Sequence, residues 1–250
     1  MVTLTRNTLF NRLNSRELII PYIDQALSKD EWPSSYQIQV DTRPHDSRVD
    51  DYFHPSSHCI PGPRKLQMMI DPRFRDKILV EKMSPTSMMT ISYGSALHAI
   101  LQTQLKMAGI LTEEQIEVPL VNEDLHARGH MDFLLDHPNG NKYCVDIKTR
   151  NSRGFDNDRG PLPEWVAQLN CYMDWIGVDD AIVLVVESGY PFRMKEWHFK
   201  KSSNVIDPIY KKWRYVRGMI ERGEEIMDMC CTPASLDKYC PARFLCWEGK

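Results

Sequence analysis

Residues 181–186 read Ala-Ile-Val-Leu-Val-Val, six apolar side chains in a row. A strand with no polar face needs cover on both sides, which a sheet sandwiched between helices provides. The rest of the chain supplies those layers. Leu97, Ile100, Leu101 and Leu105 recur near helical spacing after Ser92-Tyr93-Gly94-Ser95, and Gly109 is placed to end that helix. Three strand-like runs follow, over residues 115–121, 130–136 and 142–149, the last two joined by a loop containing Asn139-Gly140, a hairpin signal. Pro161 and Pro163 precede a second helix over 164–176, which Gly177 closes. Beyond the apolar strand, residues 193–199 suit an edge strand, and 203–229 form a long amphipathic pattern containing Trp213 and Val216. The order helix, three strands, helix, two strands, helix predicts an α/β fold with a mixed central sheet flanked by helices.

Upstream the signal is weaker. Residues 7–30 carry a helical pattern interrupted near Pro21, and 32–63 are rich in Pro, Ser, Asp and His, as loops are. The expected organisation is an N-terminal helical and loop region (1–91), a core (92–200) and a C-terminal helix with clustered cysteines (201–250). A net charge of −3 excludes a uniformly basic coat, though not a local basic groove. No apolar run reaches the roughly 18–20 residues that span a bilayer, so no membrane association is expected. The first residues lack a charged-then-apolar leader pattern, so a cytoplasmic location is expected. Seven cysteines without such a leader suit thiolate chemistry or metal ligation better than a disulfide framework.

The chemistry-bearing set is Asp132, Asp146 and Lys148. Asp146 and Lys148 are two apart inside an apolar strand, so both side chains leave one face. Charges there are costly unless they pair or ligate something. Asp132, across the hairpin, adds a second carboxylate, and the Ile147 carbonyl a third oxygen. Hard divalent cations take such donors. A Lewis acid, a positioned water and a nearby amine are what hydrolysis of a phosphodiester requires. The same residues equally describe a buried Asp–Lys pair that stitches the hairpin. His98 on the preceding helix is either a ligand or a structural histidine. Gln168 and Tyr172, four apart, share a helix face. Gly129, three before Asp132, allows close approach of backbone or substrate.

In chain order, His98, Gly129-x-x-Asp132, Asp146-Ile147-Lys148-Thr149 and Gln168-x-x-x-Tyr172 resemble the motifs of the PD-(D/E)xK nuclease superfamily, in its RecB-like branch, over residues 92–187. The resemblance implies a restriction-endonuclease-like core and a Mg²⁺- or Mn²⁺-dependent DNA exonuclease. His98, Asp132, Asp146 and the Ile147 carbonyl would hold the metal. Lys148 would be the catalytic lysine, and Gln168 and Tyr172 would orient the centre. Glu117 is an acid that backs the site, with no motif match as a ligand. Phage or bacterial DNA recombination or processing fits so compact a chain, with a homo-oligomer or a recombination protein as partner. The alternatives are an endonuclease on the same fold, and a non-catalytic DNA-binding protein stapled by a metal cluster.

Some members of that branch bind a 4Fe–4S cluster through one upstream and three C-terminal cysteines. Cys59, Cys231, Cys240 and Cys246 are similar to that layout, with Cys230 as the alternative to Cys231. Asp237 stands where the family pattern has a cysteine. Four thiolates would staple both ends of the chain to the core. A zinc site on the same ligands, or unrelated buried thiols, remains open. For DNA contacts, Arg150, Arg153 and Arg159 follow the Asp-x-Lys strand, and a late basic segment runs from Lys195 to Arg217. Tyr93, Phe155 and Trp165 are candidates for stacking on unpaired bases, or else core aromatics.

Overall fold

The computed structural model describes residues 17–28, 35–38, 40, 51–75, 77–78, 83–190, 192–229, 231, 240 and 242–248. One sheet carries β1 (Ile116–Asn122), β2 (Ala127–Asp136), β3 (Lys142–Arg150), β4 (Asp180–Glu187) and β5 (Met194–Lys200) in that order. β3 and β4 are parallel and the other neighbouring pairs antiparallel. Around the sheet lie α1 (Ile20–Leu27), α2 (Pro55–His58), α3 (Pro63–Ile70), α4 (Pro72–Arg75), α5 (Pro85–Met107), α6 (Ser152–Asn157), α7 (Pro163–Ile176) and α8 (Ser203–Glu221). The α/β class and the mixed sheet flanked by helices are as the residue pattern predicts.

The apolar strand β4 is buried from residue 181 to residue 187. Ile182, Leu184 and Val186 pack with α1 and α5 on one face, while Ala181, Val183 and Val185 pack with α7 on the other. Each such large side chain contributes about 1.5–3 kcal/mol relative to exposure. A third cluster joins Phe53, Leu66 and Cys171 to Ile209, Trp213 and Val216 of α8, with the Phe53 and Trp213 rings stacked at 5.2 Å. Among the described residues no helix is long and apolar enough to cross a membrane.

Three elements depart from the sequence pattern. α5 begins at Pro85, capped by the Ser84 hydroxyl accepting from Ser87 N–H, so Gly94 lies within the helix rather than before it. The loop at 151–160 contains α6, whose N-cap Asn151 accepts from Gly154 N–H. α8 stops at Glu221, where Gly223 takes a left-handed conformation (φ 70°), and the chain turns back toward α3. Residues 7–16 of the first helical pattern lie outside the described residues.

That returning segment holds the N-terminal helices in place. Buried Arg64 donates to Ile226 O and, at 2.8 Å, to Glu225. The Gln67 amide donates to Glu224 O and accepts from Ile226 N–H, at 2.7 and 2.8 Å. Arg73 reaches Gly223 O and Glu224 O. On the opposite side, the buried Glu196 carboxylate of β5 accepts the backbone N–H groups of Leu18, Ile19 and Ile20 at the start of α1. An acid there satisfies donors that a helix cannot pair internally and complements its dipole.

Candidate active site

β2 and β3 pair from Phe133↔Val145 to Asp136↔Lys142, and no further. Beyond that point the strands part. Asp132 occupies the gap, and its Oδ2 accepts the Ile147 N–H at 2.5 Å, the bond a ladder carbonyl would otherwise take. His98 of α5 meets the same oxygen at 3.4 Å. On β3, Lys148 Nζ sits 2.7 Å from Asp146 Oδ2. Gln168 of α7 bridges the pair: its amide donates to Asp146 Oδ1 at 3.1 Å, and its carbonyl accepts from Lys148 at 3.1 Å. Two strands and two helices thus deliver Asp132, Asp146, Lys148, His98 and Gln168 to one point.

The electrostatics follow from burial. Removal from water pushes both carboxyls up. For Asp132, the charges of His98 and Lys148 and the Ile147 N–H outweigh that cost and leave it below the ordinary range. For Asp146, burial and the nearby Asp132 prevail over Lys148, and it stays raised. Burial works against the cationic forms of His98 and Lys148, but the neighbouring carboxylates prevail and raise both. Two like charges in one site are thereby driven to different proton affinities.

Tyr172 is fully buried, one turn along α7 from Gln168. A methyl group built on Gly129 would lie 2.5 Å from the Tyr172 hydroxyl and 2.9 Å from its ring. The close approach that Gly129 permits is therefore that of Tyr172. Gly94 plays a similar part on α5, where an added Cβ would come within 3.2 Å of Thr149 Oγ1.

Sequence reasoning left Gln102 out. Its amide donates to Glu117 at 2.8 Å and to the Asp132 carbonyl at 3.0 Å, tying α5 to β1 and to the β2 side of the gap. Gln102 is one turn after His98, so the helical spacing would have found it. Glu117 sits at φ 50° within β1, a left-handed conformation unusual for a strand residue. Burial and the charge of Asp132 raise its carboxyl.

The donor set suits a hard divalent ion: the buried Asp146 carboxylate, the half-buried Asp132 carboxylate, an imidazole and the adjoining main chain. Asp146 Oδ2 is buried and meets the Lys148 ammonium at 2.7 Å. No group of three His, Cys, Asp or Glu among the described residues is already arranged to hold a metal.

Cys59 and the Cys240–Cys246 pair lie in two separate parts of the core. Cys59 Sγ lies 3.8 Å from Cys171 Sγ in the cluster beneath α8. Cys240 and Cys246 belong to a separate cluster with Met68 and Ile78. Cys59 is turned inward because α2 packs Phe53 and His58 against Trp213, whose indole N–H donates to His58 O. Cys231 is half-buried, and Cys230 lies outside the described residues. Among the described residues no four-thiolate site is formed.

The basic residues divide. Arg150 is tied to Asp158 by bonds of 2.7 and 3.0 Å and lies over the Trp165 ring. Lys195 bonds the carbonyls of Phe155 and Asp158, Lys212 those of Cys59 and Pro61, and Arg217 pairs with Asp51 and Glu221. Arg153 and Arg159 are exposed and form no ion pair among the described residues.

No protein-family model and no curated protein matches the chain. Among solved structures it is similar to SSO0001, at 15% identity over 92% of this chain and 94% of that one, with a TM-score of 0.48. It is similar also to the alkaline exonuclease LHK-Exo of Laribacter hongkongensis, at 14% identity over 71% and 91%, TM-score 0.45. The complex of LHK-Exo with dAMP gives 15% identity over 69% and 89%, TM-score 0.48. These likenesses are loose, and the functional reading rests on the site itself.

Proposed function

We propose that this protein is a divalent-metal-dependent DNA nuclease of the PD-(D/E)xK type, RecB-like, acting as an exonuclease. The observation that carries the reading is the convergence of Asp132, Asp146 and Lys148 where β2 and β3 part, with Gln168 joining the last two. Asp132, Asp146, His98 and the Ile147 carbonyl would hold Mg²⁺ or Mn²⁺, which when bound polarises the phosphodiester as a Lewis acid. Lys148 presents its ammonium to the developing phosphate charge. Gln168 fixes that ammonium and the Asp146 carboxylate at once, so neither needs to reorganise during the reaction. Tyr172, seated on Gly129, fixes the α7 turn that carries Gln168. Arg153 and Arg159 supply free cations for the DNA backbone beside the centre. A 4Fe–4S cluster is not part of the proposal, since Cys59 and the Cys240–Cys246 pair occupy different clusters of the core.

Digestion of end-labelled linear and closed circular DNA, with Mg²⁺, Mn²⁺ or EDTA, tests the reading. Metal-dependent release of nucleotides from linear DNA alone is expected. Asp146→Ala and Lys148→Ala should each lower the rate roughly 100- to 1000-fold. Cleavage of circles would make it an endonuclease. DNA binding without cleavage under any metal would make it a binding protein.

A further inference from the structure

We propose that a cavity next to Thr149 is the subsite for the nucleotide flanking the scissile phosphodiester, with its base stacked on Tyr93. The cavity measures about 220 Å³ and is lined by Thr90, Tyr93 and Gly94 of α5, by Thr149 and Arg150 at the end of β3, by Asn151 after it, and by Ser188 just after β4. A single water needs only about 15 Å³, so the space is built for something larger.

Its position follows from the helix. Thr90, Gly94 and His98 are successive four-residue steps on one face of α5, each about 6 Å further along the axis. That face carries His98 to Asp132 and continues into the cavity. From the strand side, Thr149 is the residue after Lys148. Its side chain leaves the opposite face of β3 from Lys148, against Gly94 of α5, so the cavity borders the centre along the His98 face of α5. This inference rests on the nuclease reading, which supplies the scissile bond.

The lining chemistry selects the ligand. Asn151 Oδ1 accepts from Gly154 N–H, which leaves its amide as a donor. The Thr149 and Ser188 hydroxyls add donors, and Ser188 is held by its N–H bond to Arg150 O at 2.7 Å. Neutral donors suit sugar and phosphate oxygens. The charge of Arg150 is already balanced by Asp158, so the subsite does not work by ion pairing. Of the three aromatics near the centre, Phe155 and Trp165 are buried, at 7% and 8% exposure, whereas Tyr93 is 51% exposed. A base inside a duplex already has both faces stacked. Tyr93 can take only an unpaired one, so the subsite favours a single-stranded or frayed end.

The test pairs the protein with the substrate. Full-length wild type, Tyr93→Ala and Tyr93→Phe digest an end-labelled single-stranded oligonucleotide series, each member carrying one abasic residue at a successive position. Wild type should lose about 10-fold in kcat/KM when the abasic residue occupies the cavity, and at no other position to that extent. Tyr93→Ala should show the same loss on the intact oligonucleotide, through KM, and no further loss at the abasic position. Tyr93→Phe should behave as wild type. Because stacking is not ionic, the ratio should persist between 50 and 200 mM salt, conditions under which phosphate contacts weaken. A wild type that cleaves but ignores abasic residues everywhere, or a Tyr93→Ala with unchanged KM, overturns the subsite. If wild type does not cleave at all, the nuclease reading fails instead. Anisotropy of the same labelled oligonucleotides in Ca²⁺ then decides the cavity by the same pattern of Kd losses.

Discussion

Two of the places where this molecule buries charged groups treat them in opposite ways. Where α3 and α4 meet the segment after α8, the guanidinium of Arg64 faces Ile226 O and Glu225, and Gln67 is satisfied as both donor and acceptor. Where β2 and β3 part, burial and the charge of Asp132 keep the Asp146 carboxyl raised even with Lys148 2.7 Å from its Oδ2, and Glu117 holds a left-handed backbone. In the first arrangement Gln67 and the terminal guanidinium nitrogens of Arg64 find partners, which contributes stability, although Arg64 Nε has none among the described residues. The second keeps charge under tension, and that tension is what a bound cation or an anionic substrate relieves. Charges matched to opposite partners hold a fold together, whereas like charges gathered in one place mark where chemistry is done.

The contrast is broken most directly by exchanging the readouts. Lys148→Ala should abolish nearly all cleavage while the protein still unfolds cooperatively. Arg64→Ala should leave kcat per folded molecule unchanged but lower stability by about 3 kcal/mol in urea melts, since Glu225 and Ile226 O lose their donor. A Lys148→Ala enzyme with wild-type kcat, or an Arg64→Ala protein with an unshifted midpoint, would dissolve the distinction.

Gly129→Ala sharpens it, because this position serves both ends. The added methyl would overlap the Tyr172 hydroxyl, and a fully buried ring has nowhere to move. A loss of about 2 kcal/mol is expected, with a fall in kcat as α7 carries Gln168 away from Lys148. Tyr172→Phe in the same background should restore part of both, measured by melts and by digestion rates. A smaller effect is expected at α1. Glu196→Gln keeps the geometry but removes the charge facing three backbone N–H groups, at a cost of about 1 kcal/mol.

The least effect is in acid. The Arg193 guanidinium holds the Glu187 carboxyl at about 2, below its ordinary 4.5. A depressed carboxyl stabilises the fold above its unfolded value and loses that contribution as pH falls from about 4.5 toward 2. Thermal melts of wild type and Glu187→Gln should therefore differ at pH 6 and converge below pH 3. Parallel melting curves at all pH values would remove this pair from the stabilising set.

The Asp-x-Lys string and the Gln168–Tyr172 pair were legible because each is a local spacing on one element, and strand and helix periods alone decide which side chains share a face. The start of α5 was not, because Gly94 reads as a boundary until Thr149 is seen pressing against it. The four-cysteine staple expected from the resemblance is absent among the described residues, and Arg64, Gln67 and Arg73 tie the regions together instead. Their partners lie about 150 residues away, at a turn that follows an unexpectedly early helix end.

By itself the sequence determined the layers, the mixed sheet and the residues at the end of β3, since periodicity and burial act over a few neighbours. Only the tertiary structure decided that Tyr172 sits on Gly129, that Glu196 caps α1, that Tyr93 is open where Phe155 and Trp165 are closed, and that Cys59 turns to Cys171. Each of these depends on which distant surfaces meet, and the energy that selects those meetings is summed over the whole packed core rather than written in any one segment.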